Sequence, residues 1–263
     1  MTTRGHEPRR YDESTEIHSR LIKCSLVIEE SRAYWERVVP GCHQPDAQAA
    51  FEQYWFGAKS LPWVKVLILN LQTRFGAFPE AHRVLRSWHS MRPETRAIIC
   101  HWHLQLTDPL YRAFSGEFLI ARRGAVRPEL HGNTVVAWLA GNGRSNWTLP
   151  THRKLVSRLL SVALSAGLIS GRRDPRNLVF PHVRDEALAY LLYFLRVVSF
   201  AGSLLDNPYL RSVGLQGPAL EARLRKLPSL NFQRIGDVVE FNWQYPCLGA
   251  WAEAELYTCG LAS

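Results

Sequence analysis

Cys100-His101-Trp102-His103 places three side chains able to ligate metal or act as nucleophile or base within four residues. On a helix, neighbours point about 100° apart, so only Cys100 and His103 would share a face. No second pair at matching spacing completes a zinc site, and the reading is a core or boundary role. Cys42-His43 has the same weakness, and its proximity to Asp46 is not a catalytic triad. Glu29-Glu30 has Arg32 and Arg37 close by on one expected helix, which is the pattern of structural ion pairs rather than acid–base chemistry. The G-x-S-x-G elbow, Walker loop, dinucleotide fingerprint and H-E-x-x-H motif are all missing from the chain. The expectation is a protein that is not an enzyme and uses no metal or cofactor.

The chemistry that remains is phosphate binding by cations spaced along one segment, residues 135 to 181. From 135 to 140 the chain is apolar, and Gly141-Asn142-Gly143 reads as a helix stop suited to positive φ. Thr148 or Thr151 can cap the next helix, with Pro150 in its first turn. At a 3.6-residue period, Leu155, Leu159, Val162 and Ala166 fall on one face, and Lys154, Arg158, Ser161 and Ser165 on another that Arg153 and Ser157 widen. Long cations with short hydroxyl residues between them suit a groove, because the cations reach phosphates or guanine edges and the serines allow close approach. A solvated face would more often contain glutamate, and this helix has none. Gly167 stops it, 168–169 start a strand, and Gly171-Arg172-Arg173-Asp174-Pro175-Arg176 makes a basic turn before 178–180. From 151 to 176 there are six Lys or Arg residues and one acid, Asp174. The segment reads as a basic winged helix-turn-helix. Its candidate DNA-binding residues are Arg144, Thr151, Arg153, Lys154, Ser157, Arg158, Ser161, Arg172, Arg173 and Arg176.

The elements around this segment are helical. Residues 19 to 38 have a helix-like pattern stopped by Pro40-Gly41, and runs at 62–74, 79–90, 93–106 and 109–120 each open on proline, which belongs in a first helical turn. Their tryptophans, Trp55, Trp63, Trp88 and Trp102, suit helix–helix packing. Strand-like alternation occurs only at 168–180 and 230–243. The fold class expected is all-α, mainly helical: a helical bundle with winged helix-turn-helix units and small β-hairpins. It divides into a loose polar N-terminal arm (1–15), the bundle (16–125), the winged helix-turn-helix (126–200), a weaker helix–hairpin unit (201–250) and a tail (251–263). In the weaker unit, Arg223, Arg225 and Lys226 read as a solvated face.

Composition agrees. The chain has 263 residues, 46% of them hydrophobic, and a net charge of +9, so a packed core is available and the surface field favours polyanions. Cys24, Cys42, Cys100, Cys247 and Cys259 form no C-x-x-C pair, and reduced cytosolic thiols are the expectation. The first residues show no apolar signal segment. The stretch 187–205 approaches the length of a membrane span, but Arg196 lies at its centre and its leucines recur at helical spacing, which reads as a buried helix with no membrane partner.

Several strings in order resemble the BrxA family of the BREX phage-exclusion operons of bacteria: LVIEESR at 26–32, Thr151-His152-Arg153-Lys154 followed by Ala166-Gly167-Leu168-Ile169, the helix after Pro181, and LRSVGL, helix and GDVVEFNW at the end. The similarity spans about residues 15 to 245. It implies a largely helical, non-enzymatic, cytoplasmic protein with winged helix-turn-helix character that binds DNA in anti-phage defence beside a methyltransferase and an ATPase. The chain departs from that family in its polar N-terminal stretch and in the GAWAEAELYTCGLAS end. Three functions stay open at this point: double-stranded DNA binding with modest or no sequence selectivity, protein–protein adaptor, and transcriptional regulator.

Overall fold

The computed structural model describes residues 10 to 41 and 45 to 257 and is mainly helical. Cys42-His43, Cys259, the first nine residues of the expected arm and residues 258 to 263 of the expected tail lie outside the described residues. From the N-terminus come β1 (Tyr11–Asp12), a 3-10 turn (Arg20–Ile22), α1 (Ile28–Arg37), α2 (Ala47–Glu52), α3 (Leu61–Leu71), α4 (Pro79–Ser87), α5 (Pro93–Thr107), α6 (Pro109–Ala113) and α7 (Leu119–Arg123). Proline occupies the first turn of α3, α4, α5 and α6, where its missing N–H is no loss. A π-helical turn, Phe114–Phe118, joins α6 to α7, so the run that opens on Pro109 is continuous to Arg123.

The second half holds β2 (Glu129–Leu130), α8 (Gly132–Asn142), α9 (Leu149–Ser165), β3 (Ile169–Ser170), β4 (Arg176–Leu178), α10 (Asp185–Leu195), β5 (Val198–Ser199), α11 (Pro208–Ser212), α12 (Gly217–Leu224), β6 (Leu230–Ile235), β7 (Val238–Trp243) and α13 (Leu248–Glu255). The strands form three small sheets: β1 parallel to β5, an antiparallel sheet ordered β2-β4-β3, and the β6-β7 hairpin.

Helix α5 is the axis of the core. Twelve of its fifteen residues are buried, so it is enclosed on every side rather than amphipathic. Its polar side chains bond to both halves of the chain. The Trp102 indole donates to the Tyr209 carbonyl at 3.1 Å, and the Gln105 amide to Ser115 Oγ at 2.9 Å. Ser212 Oγ already donates to the Tyr209 carbonyl, so it accepts from His101 Nε2 at 2.9 Å, and His101 Nδ1 accepts the Tyr111 hydroxyl at 2.7 Å. His103 Nδ1 donates to the Arg74 carbonyl at 2.9 Å, and its Nε2 accepts from the Tyr190 hydroxyl at 2.8 Å. Both imidazoles are therefore neutral and fully engaged. Burial pushes their pKa down, to about 3 for His101 and about 4 for His103. The Cys100-to-His103 string is core chemistry and not a ligand set.

Four elements depart from the sequence reading, one of them the expected tail, whose residues 251 to 255 complete α13 with Trp251 and Ala252 buried in the core. Residues 19 to 38 are not one helix: the turn at Arg20–Ile22 and α1 are separated by Val27, which has φ 46°. The buried Arg74 guanidinium takes the carbonyls of Cys24, Ser25 and Leu26 at 3.0, 2.7 and 3.3 Å, which removes those acceptors from a helical ladder. Residues 10 to 15 are not loose. Arg10 and Tyr11 N–H groups bond the Val197 carbonyl, Ser14 N–H bonds the Leu106 carbonyl, and the Glu13 carboxylate accepts from Ala201 N–H and from the Tyr209 hydroxyl. Helix α8 runs to Asn142, through the expected Gly141-Asn142 stop, and ends at Gly143 in an extended conformation.

Helix α10, from the apolar stretch at 187–205, has only eleven residues and ends before Arg196, whose guanidinium lies 4.6 Å from the Trp243 ring. Among the described residues, no helix is long and apolar enough to cross a membrane.

Candidate nucleic-acid interface

Helices α8 and α9 pack on each other, and a six-residue connection, 143 to 148, joins them. Pro150 sits in the first turn of α9. Thr148 occupies the N-cap position, but its hydroxyl meets that of Thr151 at 3.1 Å instead of bonding the helix backbone. Leu155, Val156, Leu159, Leu160, Val162 and Ala163 are buried, at the spacing the period requires. The opposite strip, Arg153, Lys154, Ser157, Arg158, Ser161 and Ser165, is exposed. Gly167, with φ 71°, turns the chain out of α9 into β3, a conformation glycine adopts without strain.

The turn at 171 to 175 connects β3 to β4, and β2 pairs on the far side of β4. The basic turn is thus held on a sheet closed by a strand that precedes α8. Asp174 fixes its shape: one carboxylate oxygen accepts from Gly132 N–H, at the start of α8, at 2.7 Å, and the other contacts the Arg176 guanidinium. Arg176 also donates to the Arg172 carbonyl at 3.2 Å. Arg172 and Arg173 are exposed.

The ten candidate residues therefore separate by charge state and partner. Arg153, Lys154, Arg158, Arg172 and Arg173 are exposed and make no ion pair among the described residues. Ser157 and Ser161 lie exposed between the α9 cations, and Thr151 is half-buried at the start of the helix. Arg176 is half-buried and committed to Asp174; Arg144 is exposed but paired with Glu16 at 2.6 Å. Between Glu129 and Asp185 the chain carries eight Lys or Arg residues and the single acid Asp174, whose charge Arg176 neutralises. This region is consequently a surface of uncompensated positive charge.

The α12–β6–β7 unit contrasts with it. Glu221 binds Arg225 at 3.0 Å and Arg234 as well, while Arg223 meets Asp185. Hydrogen bonding from Arg234, then from Arg225, holds the Glu221 carboxyl below the usual range. Arg223, Arg225 and Arg234 are thus each paired, whereas Lys226 is exposed and makes no ion pair among the described residues.

Sequence reasoning missed the residue that anchors the sheet. Arg123, the last residue of α7, donates to the carbonyls of Leu168 and Val179 at 3.1 and 2.6 Å and stacks 4.0 Å over the Phe180 ring. Burial lowers its pKa to about 10. No local signal marks it, because its partners lie 45 and 56 residues further along the chain.

No protein-family model matches the chain, and no curated protein matches it. A crystal structure of an uncharacterized protein from Magnetospirillum magneticum is similar, with a TM-score of 0.55 and 16% identity over 70% of this chain and 98% of that one. That likeness is one of fold.

Proposed function

We propose that this protein is a non-enzymatic, cytoplasmic, double-stranded DNA-binding accessory protein, and that α8, α9 and the β2-β4-β3 sheet act as a winged helix-turn-helix. The observation that carries the reading is the exposed strip of α9, where Arg153, Lys154 and Arg158 stand free of ion pairs among the described residues with only serines between them. A helix of this width fits the major groove, and its cations meet phosphates or guanine edges. Arg172 and Arg173 grip the backbone beside it. The strip has no Asn or Gln to read adenine and no acid to read cytosine, so binding follows the backbone more than the sequence. The resemblance of residues 15 to 245 to the BrxA family adds the biological setting, a bacterial anti-phage system of BREX type.

The test is Arg153→Ala with Lys154→Ala and Arg158→Ala, read by fluorescence anisotropy on a labelled duplex across salt concentrations. Three lost phosphate contacts lower the slope of log K against log salt by about 2.7, at about 0.9 per contact. Unchanged binding removes α9 from the interface.

A second reading, adaptor to the methyltransferase or ATPase of such a system, is favoured by one feature. The β6-β7 tip exposes Ile235 and Val238 to 76% and 70%. A pull-down that persists in high salt, with no duplex binding, would select it, because apolar contacts resist screening.

A further inference from the structure

We propose that the turn at residues 20 to 23 is a third part of the DNA face, in which Arg20 and Lys23 bind the phosphodiester backbone alongside α9. This rests on the assignment of α9 to duplex DNA. The sequence pattern sets the turn: in a 3-10 conformation residues three apart eclipse, so Leu21 and Cys24 face one way and Arg20 and Lys23 the other. Leu21 and Cys24 are buried, 1% and 0% exposed, and the turn packs directly on α9. Arg20 and Lys23 are exposed and make no ion pair among the described residues.

Two contacts place this segment beside α9. At one end Glu16 holds Arg144, in the connection that leads into α9. At the other, the turn at 20–22 packs directly on α9. Residues 16 to 24 accordingly lie against α9 and the connection that leads into it. Arg74 keeps the turn rigid through its three bonds to the carbonyls of Cys24, Ser25 and Leu26. A solvated surface usually interleaves both signs. Residues 17 to 27 hold two cations and no acid, and Glu16, the acid just before them, is consumed by Arg144. The turn thus adds unpaired positive charge to the side of the molecule that carries α9, where a duplex backbone following the helix meets it.

The experiment compares Arg20→Ala/Lys23→Ala with wild type on a labelled duplex of mixed sequence, measuring affinity across salt. Loss of two phosphate contacts lowers the slope by about 1.8, at about 0.9 per contact. Arg20→Gln/Lys23→Gln, which keeps the stems, gives the same drop, and the circular dichroism melt of both variants matches wild type. Arg223→Ala/Arg225→Ala, two cations paired with Asp185 and Glu221, removes the same charge and leaves the slope unchanged. An unchanged slope in the Arg20/Lys23 variants, while the α9 triple variant loses its own share, overturns the turn's role and leaves α9 standing. An equal drop in the Arg223/Arg225 control assigns the effect to net charge and also overturns it. Unchanged slopes in the turn variants and in the α9 variant alike overturn the turn and the α9 reading together.

Discussion

Arg123→Ala should destabilise the protein by about 2 to 3 kcal/mol, and the structure permits the figure to be assembled. The substitution deletes two bonds from a charged donor to the Leu168 and Val179 carbonyls, worth about 1.5 kcal/mol each. It also deletes the stacking of the guanidinium on Phe180, worth about 0.5 to 1 kcal/mol. Against this, Arg123 Nε and Nη1 are buried without partners among the described residues, and their removal returns about 1 kcal/mol. The Leu168 carbonyl keeps one partner, Val179 N–H at 3.0 Å, which limits the penalty there. In a chain of this size the loss lowers the thermal midpoint by about 5 to 10 °C. Urea melts of wild type, Arg123→Ala and Arg123→Met check the reasoning. The Met variant restores the apolar stem and recovers only packing, so it stays at least about 1 kcal/mol below wild type. If both variants melt within about 0.5 kcal/mol of wild type, Arg123 does not anchor the sheet that holds the basic turn.

Three further outcomes follow from the core. His82, His101 and His103 have pKa values lowered by burial to about 4, 3 and 4, whereas in the unfolded chain each titrates near 6.5, so the unfolded state binds more protons below that pH. Stability is therefore full above about pH 6.5 and falls as the pH drops toward about 4, by up to about 1.4 kcal/mol per pH unit per histidine. Among the described residues the His82 ring makes no side-chain hydrogen bond, so His82→Leu flattens the acid slope by about a third and costs under about 1 kcal/mol at neutral pH; denaturant melts as a function of pH decide it. Gly116→Ala places a Cβ 2.5 Å from Pro208 Cβ and 2.8 Å from its carbonyl oxygen, where α11 meets the α6–α7 run, and a loss of about 1 to 3 kcal/mol in a urea melt is expected.

How far the residues alone reveal this architecture depends on the range of the deciding interaction. Helices that open on proline are marked by their own chemistry, and α3 to α6 begin within one residue of the prolines at 62, 79, 93 and 109. The amphipathic period of α9 and the glycine that ends it are equally local, which is why its exposed strip could be read ahead of the fold. The break between the 20–22 turn and α1 is not local, because Arg74 imposes it from 48 to 50 residues away. Strand β2 is two residues long and finds its partner in β4, with Glu129 opposite Asn177, so no alternation announces it. The same limit divides the candidate cations. Charge density identifies the basic region, but whether a given arginine is free depends on an acid elsewhere: Glu16 reaches Arg144 across 128 residues, and Asp174 turns back on Arg176. Arg144 and Arg176 therefore position the segment, while Arg153, Lys154, Arg158, Arg172 and Arg173 are left to meet a ligand.

The most direct test is the affinity of the wild-type protein for duplex DNA measured against salt, on two unrelated sequences. Five free cations on α9 and the 171–175 turn give a slope of log K against log salt of about −4.5, and Arg20 and Lys23 extend it to about −6.3. A slope in that range, with little difference between the two sequences, is the expected result. No duplex binding at low salt, or a slope shallower than about −1, would contradict it.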